Sequence, residues 1–319
     1  MKLPEELQFI ANARLPQKTT DARMDGRVCI VTGATSGVGL AAAQRLARGG
    51  AHLVLVCRNG EKAAAVQAEL ARKYGAQTDV VLADFSRLAD VRAAAATLLE
   101  RCPRIDVLIN NAGVHMTHRT LTVDGHETAF AVNHLASFLL TRLLLDRLQA
   151  SAPARIIQVN SQGHRFGGLD LDDLTWERRH YIGLRGYGAA KTAQLLTVWE
   201  LADRLAGSGV TINAMHPGAV KSNIGMNNGL LYRLYNRIVI HPFLKDPAIA
   251  GDALYYLAAA PEMAEVSGKF FNLTIEEKPA AHALDRDLGK RVWAISNQLS
   301  AISDQQSAIS SQPKLIADS

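Results

Sequence analysis

The sequence predicts one α/β domain in which a doubly wound, mostly parallel sheet carries helices on both faces. The first observation behind this is an alternation of two patterns from Arg27 onward. Short β-branched, apolar runs fall at residues 27–32, 52–57, 79–83, 107–109, 155–159 and 211–213. Between them lie Ala- and Leu-rich stretches with helical spacing, as at 40–48, 61–73 and 136–148. Strands that are apolar throughout belong to a sheet buried on both sides, and the helices supply the crossovers. The second observation is size: 319 residues, 48% of them hydrophobic, with no repeat of fixed period. An α/β domain of roughly 250 residues buries a sizeable core by itself. Together these indicate a Rossmann-like arrangement in a single domain over residues 25–298.

Three segments fall outside the alternation. Residues 1–24 form an extension with Pro4 and Pro16, and residues 299–319 a polar tail expected to fray from Asp304 onward. Residues 219–245 interrupt the pattern after Pro217-Gly218. There Leu230, Leu231, Tyr232, Leu234, Tyr235 and Ile238 approximate an amphipathic helix.

Composition removes several classes of function. The net charge of +5 comes from 35 basic and 30 acidic residues scattered along the chain, and the longest basic cluster is Arg178-Arg179-His180. Nucleic-acid binding needs a concentrated basic face, so no nucleic-acid partner is expected. Three cysteines, Cys29, Cys57 and Cys102, are too few and too scattered for a disulfide framework or a zinc site. No His/Cys/Asp cluster has ligand spacing, so no metal is expected. Cys29 and Cys57 sit in apolar runs as small hydrophobes, which suits a reducing, cytoplasmic setting. The first 26 residues carry Glu5, Glu6 and Asp21 and lack the apolar core of a secretory signal. No stretch approaches the roughly 18 apolar residues of a spanning helix. Tyr232, Arg233, Tyr235 and Arg237 could touch a membrane surface, but no such contact is predicted.

The first apolar run leads into Gly33-Ala34-Thr35-Ser36-Gly37-Val38-Gly39, and a helical stretch follows at once. Glycines permit a tight turn and close approach of a pyrophosphate, and the helix N-terminus offers free N–H groups and a positive dipole end. The spacing differs from the G-x-G-x-x-G fingerprint, so its context carries the argument. The second run ends at Val56-Cys57-Arg58, with Lys62 one helical turn on. NAD sites place a carboxylate here for the adenine ribose; none is present. A guanidinium pairs well with the 2′-phosphate of NADP, so Arg58 and Lys62 point to NADP(H).

Tyr187 and Lys191 lie four apart on a helical stretch running to about Leu205, which puts phenol and ammonium on one face. A free tyrosine titrates near pH ~10; an adjacent ammonium and an oxidised nicotinamide favour phenolate and draw it toward the working range. Ser161 follows the run at 155–159, Asn133 sits in the helical stretch after the fourth run, and Asn110-Asn111-Ala112-Gly113 closes that fourth run.

These residues, in this order, resemble the short-chain dehydrogenase/reductase family. The match comprises Thr32-Gly33-x-x-x-Gly37-x-Gly39, Asp84, Asn110-Asn111-Ala112-Gly113, Asn133, Ser161, Tyr187-x-x-x-Lys191 and Pro217-Gly218. The branch resembled is the retinol-dehydrogenase-like one, from Cys57-Arg58-Asn59, Asn133-His134-Leu135, His216-Pro217-Gly218 and Ser267-Gly268-Lys269-Phe270-Phe271, with Trp293 beyond. The resemblance implies that Tyr187 exchanges a proton with the substrate oxygen, Ser161 polarises that oxygen, and Lys191 binds the nicotinamide ribose and lowers the phenol's pKa. It implies that Asn133 holds a water in the proton relay, that Asp84 faces the adenine and Asn111 the adenosine ribose. Pro217, Gly218 and Val220 would lie beside the nicotinamide. Two departures stand out: Ser161 precedes Tyr187 by 26 positions, and Asn160 stands where the branch usually has a second serine. His134 and His164 could approach a substrate. The 219–245 segment would either cover one, its apolar side chains suiting a lipophilic ligand, or pack as a helix pair or dimer contact.

The expected activity is NADP(H)-dependent interconversion of an alcohol and an aldehyde or ketone on a lipophilic small molecule. The alternatives are a catalytically silent NADP(H)-binding module and a carbon–carbon double-bond reductase. The resemblance also implies a homodimer or homotetramer through the Tyr187 helix.

Overall fold

The computed structural model describes residues 15–220 and 244–301, together with residues 12, 224 and 228. Its strands are β1 (Val28–Thr32), β2 (His52–Cys57), β3 (Thr78–Leu82), β4 (Val107–Asn110), β5 (Ala154–Val159), β6 (Val210–His216), β7 (Phe270–Asn272) and β8 (Ile275–Glu276). They form one sheet in the order β3-β2-β1-β4-β5-β6-β7-β8, parallel except for the final antiparallel pair.

The helices are α1 (Gly37–Arg48), α2 (Gly60–Tyr74), α3 (Leu88–Arg101), α4 (Thr128–Ala150), α5 (Gly183–Arg204), α6 (Ala248–Ala259) and α7 (Arg286–Leu299). Alternate strand residues serve opposite faces. Ile30, Leu108, Ile156 and Ile212 pack in one apolar layer with α3, α4, α5 and α7. Cys29, Val31, Ile109, Ile157 and Met215 pack in a second layer with α1, α2 and α6. This two-sided burial is why the strands read as continuous apolar runs, and the doubly wound fold is present as expected.

The chain winds outward from β1 to β3 and then returns to β4 on β1's other side. The carboxyl ends of β1 and β4 therefore diverge, which opens the crevice where such sheets bind ligands. Thr32 and Asn111 staple the two ends. The Thr32 hydroxyl accepts from the N–H groups of Asn111 and Ala112, each at 2.9 Å, and Asn111 Nδ2 donates to Thr32 O at 2.8 Å.

The structure amends several expectations. The third strand is Thr78–Leu82, one residue earlier than read, and α5 starts four residues before Tyr187. Strands β7 and β8, of three and two residues, were too short to leave a pattern. Helix α4 is long and apolar enough to cross a membrane, with mean hydropathy 1.4, contrary to the expectation that no stretch came close. Yet 78% of that window is buried inside the fold, as in the core helix of a soluble protein. Part of α5 is covered by α7 and the turn before it: Gly289 sits on Leu196, and Trp199 Nε1 donates to Ala283 O at 2.7 Å. All three cysteines are free and buried. Most of the 219–245 segment, the tail from 302 and nearly all of residues 1–14 lie outside the described residues.

Candidate active site

Gly33 and Gly37 hold positive φ of 67° and 54°, a region closed to most side chains, and turn the chain from β1 into α1. Ser36 caps α1 in extended conformation without a side-chain bond, so the helix's first N–H groups face outward from the turn. Gly39 acts differently from its neighbours. A Cβ there would come within 2.4 Å of both Asn111 Nδ2 and Gly33 O, so the glycine lets α1, the turn and β4 close together.

A cleft of about 630 Å³ runs along the carboxyl ends of the strands. One end is lined by Val56, Cys57, Arg58, Asn59 and Lys62 from the end of β2 and the start of α2, and by Ala83 to Ser86 after β3. Asn59 Oδ1 caps α2 by accepting from Lys62 N at 2.8 Å, which fixes both basic residues at the rim, where they are exposed. Asp84 Oδ1 accepts from Ser86 N and Oγ at 2.9 and 2.8 Å. Gly33, Thr35, Ser36, Gly37, Val38 and Asn111 line the middle. Ser161, Tyr187, Lys191, His216, Pro217, Gly218 and Val220 line the far end.

Ser161 and Tyr187 come together despite the 26 residues between them. Ser161 lies two residues past β5 and caps a short 3-10 turn, Gln162–Phe166, accepting from Gly163 N at 3.0 Å. Gly163 lies so near the phenol that a Cβ would be 2.6 Å from Tyr187 Cε1. The long insertion folds back over the edge of the site, where the Tyr181 hydroxyl donates to Glu127 at 3.0 Å. Burial pushes the Tyr187 phenol up to about 12, and the Ser161 hydroxyl works against that by hydrogen bonding.

Lys191 Nζ stands 5.8 Å from the Tyr187 ring centre and donates to Val159 O at 2.8 Å. Burial pulls the ammonium down to about 7. Burial thus opposes the charged form of both groups, raising the phenol and lowering the ammonium.

Asn133 sits in a π-helical turn, Ala131–Leu135, inside α4. Such turns offset a helix locally and recur at functional sites. Its side chain faces the loop after β4, accepting from Val114 N at 2.7 Å and donating to Val114 O at 2.9 Å. Asn133 and Gly39 thus brace the cleft from behind and do not line it.

Neither His134 nor His164 lines the cleft. His134 is buried, with Nε2 2.7 Å from Ser296 Oγ of α7. His164 Nε2 accepts from Ala280 N at 3.1 Å, which leaves Nδ1 as the donor to Ser161 O at 2.7 Å. Sequence reasoning missed His115, whose ring meets Tyr187 edge-on at 5.7 Å, and His216 in the cleft wall. His216 ends β6 on the crevice side, a positional signal that could have found it; His115 lies five residues past β4, in a loop without such a signal. Among the described residues no cluster of His, Cys, Asp or Glu could hold a metal.

A family model for short chain dehydrogenases matches residues 27–230. Retinol dehydrogenase 13 of Homo sapiens is 39% identical over 296 residues, covering 91% of this chain and 88% of that protein. Among solved structures, a protein from Mycobacterium paratuberculosis is 30% identical, with TM-score 0.72, covering 90% of this chain and 99% of its own. The Pseudomonas aeruginosa RhlG/NADP active-site complex is 25% identical, with TM-score 0.62, covering 78% and 95%. The chain therefore belongs to the short-chain dehydrogenase/reductase family, in its retinol-dehydrogenase-like branch, and is an oxidoreductase of alcohol and carbonyl groups.

Proposed function

We propose that this enzyme uses NADP(H) to interconvert an alcohol and an aldehyde or ketone of a lipophilic molecule, with Tyr187 exchanging the proton. The observation that carries the reading is one continuous cleft with Arg58 and Lys62 at one end and Ser161, Tyr187 and Lys191 at the other. The glycine turn, the open N-terminus of α1 and the absence of a carboxylate at the end of β2 suit a dinucleotide bearing a 2′-phosphate. The lipophilic substrate class is supported by the retinol named for the relative of Homo sapiens.

The bound dinucleotide supplies the hydride. The rest is the work of side chains. A carbonyl oxygen seated at Ser161 and Tyr187 accepts two hydrogen bonds, which disperse the negative charge that develops as the carbonyl is reduced. Tyr187, protonated at neutral pH, then donates its proton to that oxygen. In the opposite direction Tyr187 must already be phenolate to accept the alcohol proton, and the Lys191 cation beside it favours that form.

Tyr187→Phe keeps the ring and removes the proton. NADPH consumption with an aldehyde and ketone panel should fall by at least about 10²-fold, the ordinary worth of a positioned acid. Undiminished turnover would remove Tyr187 from the chemistry. Tight NADPH binding by calorimetry without turnover by the parent protein would favour a silent binding module, and a saturated carbonyl product would favour double-bond reduction.

A further inference from the structure

Tyr187, Lys191 and Gln194 occupy positions i, i+4 and i+7 of α5, one stripe of the helix. Gln158 and Asn160, two apart at the end of β5, face that stripe together. Between them Gln194 is buried, 1% exposed, and all four hydrogen-bonding places of its amide are filled. Oε1 accepts from Asn160 Nδ2 at 2.8 Å and from Lys191 Nζ at 3.3 Å. Nε2 donates to the main-chain oxygen of Asn133 at 3.0 Å and to Gln158 Oε1 at 3.2 Å. The amide therefore has one orientation, with its oxygen toward the ammonium.

Asn160 locks the arrangement. Its Nδ2 also donates to Lys191 O at 2.9 Å, and its Oδ1 accepts from Ser161 N at 2.8 Å. The asparagine where the branch usually has serine thus ties the main chain at Ser161 to that at Lys191 and to Gln194. The main-chain oxygen of Asn133 is shared as well, accepting from Gln194 Nε2 and from Ser137 Oγ at 3.2 Å.

We propose that Gln194, braced by Asn160, is a positioning residue that aims the Lys191 ammonium at Tyr187. The proposal rests on the proton role of Tyr187 given above. Lys191 donates to two acceptors, Val159 O and Gln194 Oε1, and among the described residues no carboxylate pairs with it. Carbonyl oxygens that accept from an ammonium favour its charged form against the burial that opposes it. The titratable groups facing the pair are His134 from α4, held neutral by burial, His115 against the Tyr187 ring, and His216 in the cleft wall.

Two substitutions test this. Gln194→Met keeps length and removes the amide, so the ammonium loses an acceptor and is less populated. Gln194→Glu keeps shape and acceptor but sets a carboxylate against the ammonium. Each leaves less net positive charge beside Tyr187, so the phenolate forms at higher pH. The alkaline-rising limb of kcat for alcohol oxidation should move up by about one pH unit in both, with kcat at neutral pH down about tenfold. A limb within 0.2 unit of the parent's in either folded variant, whatever its thermal stability, overturns the proposal (roughly the precision of such a limb). So does failure of both variants to fold, which assigns Gln194 to the core. Tyr187→Phe, run alongside, separates the two claims: if it retains parental turnover, the proton role itself fails.

Discussion

Arg58 stands exposed at the cleft's rim, at the point where a carboxylate would read an adenine ribose. A hydrogen bond to a charged group is worth about 1.5–3 kcal/mol, so Arg58→Asp should lower kcat/KM for NADPH by roughly 10- to 100-fold. The new carboxylate should raise kcat/KM for NADH, and paired steady-state assays with both dinucleotides read the change. An unchanged ratio would mean that Arg58 does not reach the phosphate. A second residue-scale prediction concerns acid. His134 and His164 are buried, and burial pulls them down to about 3 and about 4. Unfolding exposes each to water, where it takes up a proton near pH ~6.5. Their contribution to stability is therefore whole above pH ~6.5 and is lost as pH falls toward 4, at about 1–2 kcal/mol per histidine by pH 5. Urea midpoints should drop between pH 7 and pH 5, and His134→Gln should flatten that slope.

At the level of elements, the closeness of α1, the glycine turn and β4 depends on the missing side chain of Gly39. Gly39→Ala would set a methyl 2.4 Å from Asn111 Nδ2 and Gly33 O. One of these is main chain in a positive-φ turn, so the turn must open. Overpacking of this kind costs about 1–3 kcal/mol, and here it falls on the cradle. Calorimetry should find NADPH affinity reduced at least about tenfold, a change of about 1.4 kcal/mol, with the circular dichroism of the fold retained. Parental affinity would show that the turn adapts. Legibility in the sequence followed the same physics. Strands β1, β2, β5 and the glycine turn were legible because burial on both faces and tight backbone each leave a residue signature. The Tyr187–Lys191 pair was legible because helical spacing is fixed. The meeting of Ser161 with Tyr187 was not, since the insertion that closes it is held by scattered polar contacts such as Tyr181 to Glu127. Nor was Gln194, whose partners Gln158, Asn160 and Asn133 come from different elements.

For the whole molecule, α7 does more than end the chain. It lies across α4 and α5 together, and Trp293 is its centre, 3% exposed. The indole meets Phe138 of α4 edge-on at 5.0 Å and lies under the guanidinium groups of Arg142 and Arg204, at 5.0 and 4.5 Å. One turn on, Ser296 holds His134 beside the π-helical turn that carries Asn133. Part of the apolar surface of α4 and α5 is thus covered within the chain. Removing a buried aromatic side chain costs about 3–5 kcal/mol, part transfer and part cavity. Trp293→Ala should lose that much in urea denaturation. The uncovered surface should also make the variant associate as concentration rises, seen as a growing mass in light scattering that the parent does not share. A variant as stable as the parent, or one whose mass stays constant, would mean that α7 does not seal this face.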